Sequence, residues 1–115
     1  MDISIIIPFL DEAESLPELT EWVRNVATKN NFSYEIIMVD DGSTDNSWQI
    51  VAELRKKDSC IKAIKFQRNY GKSAALNEGF RAAQGDVVIT MDADLQDSPE
   101  EIPELVLEEL ETFFR

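Results

Sequence analysis

Ile3-Ser4-Ile5-Ile6-Ile7-Pro8 is a short, nearly continuous apolar run closed by a proline. That is the pattern of a strand covered on both faces of a parallel sheet, ending near Pro8. Downstream, Ser15-Leu16-Pro17-Glu18 has the Ser-x-x-Glu spacing of a capping box, and Leu16, Leu19, Val23 and Val26 recur at helical intervals. An amphipathic helix to about Lys29 follows from that spacing. Tyr34 to Val39 repeats the buried-strand pattern and stops at Asp40-Asp41-Gly42-Ser43, a turn into a helix over Trp48 to Leu54. A third strand, Ile61 to Gln67, leads through Arg68-Asn69-Tyr70-Gly71 into a helix with Leu76, Phe80 and Ala83 on one face. Val87 to Met91 reads as a fourth strand. Ser98-Pro99-Glu100-Glu101 then combines an N-cap serine with proline at the first helical position, opening a helix that carries Ile102, Leu105, Val106 and Leu110. Four strand–helix units in succession imply an α/β fold: a layered, mostly parallel, Rossmann-like sheet with right-handed crossovers and helices on both faces.

The 115 residues, 43% hydrophobic and 30% charged, bound the answer at one domain over 1–115 with material for a core. The net charge of −12 divides into −4 over residues 1–91 and −8 over 92–115, the latter read as the solvated face of the last helix. Such an acidic balance argues against nucleic acid as a partner, because a phosphate-backbone binder displays clustered Lys and Arg. The sequence has no histidine, which removes Ser-His-Asp and Cys-His nucleophile systems and His-ligated zinc. Any metal must be held by oxygen. Cys60, the sole cysteine, has no internal disulfide partner, and the start lacks a secretory pattern, so a reducing, cytoplasmic setting is expected. No stretch approaches the roughly 20 apolar residues of a membrane helix.

Ligands of parallel α/β sheets bind outside the carboxyl ends of the strands. Those positions here read Pro8-Phe9-Leu10-Asp11-Glu12, Asp40-Asp41-Gly42-Ser43, Asn69-Tyr70-Gly71-Lys72 and Met91-Asp92-Ala93-Asp94-Leu95-Gln96. Six carboxylates would crowd one rim, their repulsion offset by a cation or by hydrogen bonds, a divalent metal being the simplest remedy. Asp92-Ala93-Asp94 places two carboxylates two positions apart, which suits sharing of Mg²⁺ or Mn²⁺; a polar strand-to-helix loop is the plain alternative. Asp41 suits accepting a hydrogen bond from a base N–H or a ribose hydroxyl, while Asp45 suits a structural, helix-capping role. Lys72, near a helix start, faces either a phosphate or solvent. Trp22, Trp48 and Phe80 read as core, and Gly42 as a turn residue.

Taken in order from about Ile3 to Leu107, Pro8…Glu12, Val39-Asp40-Asp41-Gly42-Ser43-Thr44-Asp45, Asn69-x-Gly71-Lys72…Ala75…Asn77-x-Gly79 and Asp92-Ala93-Asp94-Leu95-Gln96-Asp97 resemble the family 2 glycosyltransferases. The likeness is closest to the polyprenyl-phosphate (dolichol- or undecaprenyl-phosphate) sugar transferases. It implies a GT-A type fold and an inverting transfer from a UDP- or GDP-sugar, helped by a divalent metal. The implied acceptor is a polyprenyl phosphate or a growing glycan, at the cytosolic face of a membrane. By resemblance, Pro8, Glu12 and Asp41 line the nucleoside pocket, and Asp92 and Asp94 reach the ribose and the metal-bound diphosphate. Gln96 completes the metal site, Asp40, Asn69 and Gly71 shape the pocket, and Lys72 and Ala93 complete the donor-binding set.

Two departures stand out. Leu10-Asp11 occupies the place where the family usually has Tyr or Phe then Asn, so a ring that packs on the base is missing. Family members also continue well beyond this length. The acceptor half and any catalytic base would follow residue 115, so a truncated sheet that binds donor but transfers sugar slowly or not at all is expected, with its uncovered surface inviting self-association. A sugar nucleotidyltransferase would need a Gly-rich, Arg-containing loop where Pro8–Glu12 stands. A receiver-type signalling module would place its acidic pair after the first strand, not the second. A nucleotide-binding piece without catalysis remains the nearest alternative.

Overall fold

Every residue from Ile3 to Phe9 is buried, because this strand, β1, lies inside the sheet with neighbours on both sides. The computed structural model describes residues 1–96 and 98–114, with side chains through Glu108; Asp97 and the side chain of Leu110 lie outside the described residues. The elements are β1 (Ile3–Phe9), α1 (Leu16–Lys29), β2 (Tyr34–Asp40), α2 (Ser47–Lys57), β3 (Ile61–Lys65), α3 (Lys72–Ala82), β4 (Val87–Thr90) and α4 (Ile102–Phe114). A single 3₁₀ turn, Pro99–Glu101, precedes α4. All pairings are parallel, in the order β3-β2-β1-β4. The layered α/β expectation is met.

The two faces are packed differently. Ile3, Ile5, Ile7, Phe9, Ile36 and Met38 join Leu16, Leu19 and Val23 of α1 and Ile102 and Val106 of α4 in the larger core. Ile6, Ile37 and Val39, the alternate residues, meet Ala75 and Leu76 of α3 on the other face. Close approach of α3 depends on Gly79, where a Cβ would stand 2.3 Å from Ile6 Cγ2. For that reason Phe80, expected in the core, points outward and is 50% exposed: the sheet-facing stripe of α3 runs through Ala75 and Gly79, too close for a ring.

The expected end of β1 near Pro8 holds to one residue: the strand pairs with β2 through Phe9. Met91 N donates to Ile6 O, and alternate strand residues direct their peptide groups to the same neighbour. Pro8 therefore faces the β4 side beyond the last β1–β4 pair, Ile6 and Thr90, where its missing N–H leaves nothing unpaired. The capping box at Ser15 is absent: its side chain makes no cap bond, because the hydroxyl donates instead to Ala93 O at 2.6 Å. Ser98 does cap, accepting from Glu100 N, but the turn it opens is 3₁₀ before α4 begins.

At the amino ends of the strands a buried polar group ties α3 to the sheet. Glu35, 1% exposed, accepts from Ser4 Oγ at 2.5 Å and Gln84 N at 2.7 Å, and its other oxygen pairs with Lys62 Nζ at 2.5 Å. Burial alone would raise the Glu35 carboxyl, but Lys62, Ser4 and the Gln84 amide together outweigh it and hold it below its ordinary range.

Candidate functional site

The chain winds outward from β1 to β2 and β3, then returns to place β4 on the other side of β1. The crevice between the carboxyl ends of β1 and β4 is thus the point where the winding reverses, the usual ligand position in such sheets. A cleft of about 270 Å³ lies there, lined by Pro8, Phe9, Leu10, Glu12, Asp41, Lys72, Asp92, Ala93 and Asp94. Past the Met91 N–Ile6 O bond no further ladder bond joins this edge to β1, and Pro8 has no amide to add one.

Backbone amides hold the acidic rim in place. Asp41, 6% exposed, accepts through Oδ1 from Tyr70 N at 2.8 Å and Gly71 N at 3.1 Å. Asp40, 1% exposed, accepts through Oδ1 from Ser43 N at 2.7 Å. Asp11, with φ of 53°, accepts through Oδ1 from Thr44 N at 2.7 Å and Asp45 N at 3.1 Å. Asp45 accepts from Ser47 N at 2.8 Å, and the Ser47 hydroxyl beside it holds its carboxyl below the usual range. Asp92 differs: its Oδ1 is 2.6 Å from Lys72 Nζ. Gly42 does more than turn the chain, since a Cβ there would lie 2.5 Å from Arg68 C and Asn69 N; the loops after β2 and β3 touch through it.

Of the donor-binding candidates, Pro8, Glu12, Asp41, Lys72, Asp92 and Ala93 line the cleft together with Asp94. Asp40, Asn69, Gly71 and Gln96 stand outside the lining; Asp40 and Gly71 act on its shape through their hydrogen bonds, and Gln96 N donates to Asp94 Oδ1 at 3.2 Å. Among the described residues, no group of three or more Cys, Asp or Glu side chains is placed to hold a metal ion by itself; backbone amides hold Asp11, Asp40 and Asp41, and Lys72 pairs with Asp92. Asp92 and Asp94 nevertheless fit a hard cation that keeps waters and takes its remaining ligands from phosphate oxygens, the habit of Mg²⁺ in nucleotide sites.

Sequence reasoning passed over three serines. Ser43 Oγ accepts from Asp11 N at 2.9 Å, Ser47 Oγ from Glu12 N at 3.0 Å, and Ser15 tethers Ala93. Together they lock the β1 loop to the loops after β2 and β4. Only Ser15 carried a sequence signal, and that signal pointed to a cap. At the opposite sheet edge, burial and then Asp58 push the Cys60 thiol up, away from thiolate chemistry.

The pattern of "Glycosyl transferase family 2" matches residues 4–111. The chain belongs to glycosyl transferase family 2. Among curated members, the undecaprenyl-phosphate 4-deoxy-4-formamido-L-arabinose transferase of Pseudomonas fluorescens (strain SBW25) is 50% identical over 105 residues, covering 90% of this chain and 31% of the relative. The enzyme of that name from Yersinia pestis (strain Pestoides F) is 49% identical over 105 residues, covering 90% of this chain and 32% of the relative. This family 2 chain thus spans about a third of the length of the curated relatives it matches. Of solved structures, S. aureus TarS 1-349 in complex with UDP-GlcNAc superposes with a TM-score of 0.70 at 26% identity, covering 97% of this chain and 32% of that one. Mannosyltransferase PcManGT from Pyrobaculum calidifontis, in complex with GDP-Man and Mn²⁺, gives 0.70 at 25% identity over 80% of this chain and 27% of that one. The expected GT-A fold is the observed one.

Proposed function

We propose that this chain forms the donor-binding part of an inverting glycosyltransferase that takes a sugar from a UDP- or GDP-sugar and passes it to undecaprenyl phosphate at the cytosolic face of a membrane. The observation that carries the reading is the convergence of Pro8, Glu12, Asp41, Lys72, Asp92 and Asp94 on one cleft where the sheet winding reverses. The 4-deoxy-4-formamido-L-arabinose transferases at up to 50% identity support the acceptor class, and the UDP-GlcNAc and GDP-Man complexes of its structural neighbours support the donor class.

Each residue has a definable task. Asp41, fixed through Oδ1 by two amides, presents its carboxylate to a base N–H or a ribose hydroxyl. Leu10 supplies an apolar wall for the base where the family has a ring. Asp92 reaches the ribose and, with Asp94, holds Mg²⁺ or Mn²⁺; when bound, that cation stabilises the negative charge of the departing nucleoside diphosphate. Lys72 balances phosphate charge from the α3 start. The acceptor oxygen forms its bond to the anomeric carbon as the bond from that carbon to the nucleoside diphosphate breaks.

Calorimetric titration of UDP, GDP and their sugar conjugates, with Mn²⁺, Mg²⁺ or EDTA and with an Asp94→Ala variant, tests the reading. Metal-dependent binding lost in the variant is expected. Equal binding in EDTA, or none with any nucleotide, would overturn it. Transfer to undecaprenyl phosphate by this chain alone is expected to be slow or absent; an ordinary enzymatic rate would contradict that part.

A further inference from the structure

We propose that Leu95 is a positioning residue for the divalent cation: its side chain, anchored in the core, holds a strained turn of the backbone that fixes the Asp94 carboxylate at the cleft. The proposal rests on the donor-site reading and adds to it how the cation's ligand is held. Among the described residues, positive φ outside glycine occurs at Asp11, Asn31 and Leu95. Asp and Asn adopt the left-handed region readily, whereas for a bulky side chain it is an outlier. Elsewhere on the rim the positive-φ positions of the turns carry glycine, at Gly42 and Gly71. Leu95, at φ 66°, directly follows Asp94, so the strain falls beside a candidate cation ligand.

The bonds around Leu95 show what the turn does. The chain doubles back there, and Gln96 N donates to Asp94 Oδ1 at 3.2 Å; an ordinary negative φ at Leu95 would carry that amide away. Asp94 is exposed and lines the cleft, while both of its neighbours are tied to the interior. Ala93 is buried, and its carbonyl accepts from Ser15 Oγ at 2.6 Å. Leu95 packs against the larger core, which joins β1, α1 and α4. Asp94 therefore stands between two anchors, its carboxylate oriented before any cation arrives. A glycine at 95 would adopt this φ without steric cost but would give up the second anchor, which accounts for a leucine at a strained position.

Three substitutions separate strain from anchor. Leu95→Ala keeps the strain and loses the anchor, Leu95→Gly loses both, and Leu95→Met keeps both. Without metal, urea unfolding should find Leu95→Gly more stable than Leu95→Ala, the reverse of the usual order, because only glycine accepts this φ freely. Affinity for UDP and for GDP is then measured by calorimetry in saturating Mn²⁺ and in EDTA, circular dichroism confirming the fold of each variant. Leu95→Ala and Leu95→Gly should bind nucleotide about tenfold more weakly in Mn²⁺, the scale for residues that orient a metal ligand, and no differently in EDTA; Leu95→Met should match wild type in both. A residue that serves stability alone would not confine its effect to Mn²⁺. Leu95→Ala at least as stable as Leu95→Gly, undiminished affinity of both variants in Mn²⁺, or an equal loss in EDTA would overturn the proposal and leave the donor reading standing. Wild type that binds neither nucleotide, or binds equally well in EDTA, would overturn both.

Discussion

Asp11 shows how one carboxylate can serve a site without lining it. Its backbone is left-handed, at φ 53°, a conformation that Asp and Asn tolerate better than most residues. Its side chain reaches the Thr44 and Asp45 amides, so the loop bearing Leu10 and Glu12 is fastened to the loop bearing Asp41. Asp11→Ala leaves two amides without this acceptor and keeps the unfavourable φ, at a cost of about 1–2 kcal/mol. Urea unfolding should show that loss together with weaker nucleotide binding, and Asp11→Asn, which keeps an acceptor oxygen, should restore most of both. Loss of stability with unchanged nucleotide affinity would contradict the fastening role. The sequence marked Asp11 as a departure but not its target, because a carboxylate's partner depends on which loop the fold brings beside it. Glu35 was invisible for the same reason. Its carboxyl lies below the ordinary 4.5, so its stabilising effect is present above that pH and disappears as pH falls through the lowered value. The gap in melting temperature between wild type and Glu35→Gln should thus be wide at pH 7 and shrink toward pH 3; a constant gap would refute it.

Among the elements, periodicity located all four strands and four helices, because apolar runs and helical spacing are written in the residues that meet the core. Element ends were less legible, although Pro8, a residue that usually breaks a ladder inside a sheet, marked the end of β1 to one residue. Ser15 looked like a cap, and only the closeness of Ala93 diverts it. Phe80 fitted a helical stripe, but the small residues Ala75 and Gly79 were the contact face. Gly79→Ala tests that packing. Alanine favours a helix by about 1 kcal/mol, but a Cβ 2.3 Å from Ile6 Cγ2 overpacks the contact by about 1–3 kcal/mol. The variant is expected to be less stable than wild type in denaturant unfolding; a stabilised variant would mean α3 has room to spare.

For the molecule as a whole, a parallel sheet was legible from alternation, whereas the order β3-β2-β1-β4 was not, because strand composition does not say on which side of β1 the fourth strand lands. That placement creates the cleft. It also leaves the outer side of β4 without a partner strand among the described residues, and Phe80 on α3 and Leu107 on α4 are 50% and 59% exposed. Sedimentation at high concentration is expected to show self-association through such surface; a clean monomer would count against it. The most direct test of the central claim, that the β1–β4 crevice is the donor site, is amide chemical-shift mapping of the ¹⁵N-labelled chain with UDP or GDP and Mg²⁺. Shifts concentrated at Phe9, Leu10, Asp41, Tyr70, Gly71 and Asp92 to Asp94, and collapsing in EDTA, are predicted. Shifts clustered elsewhere, or none with either nucleotide, would contradict the account.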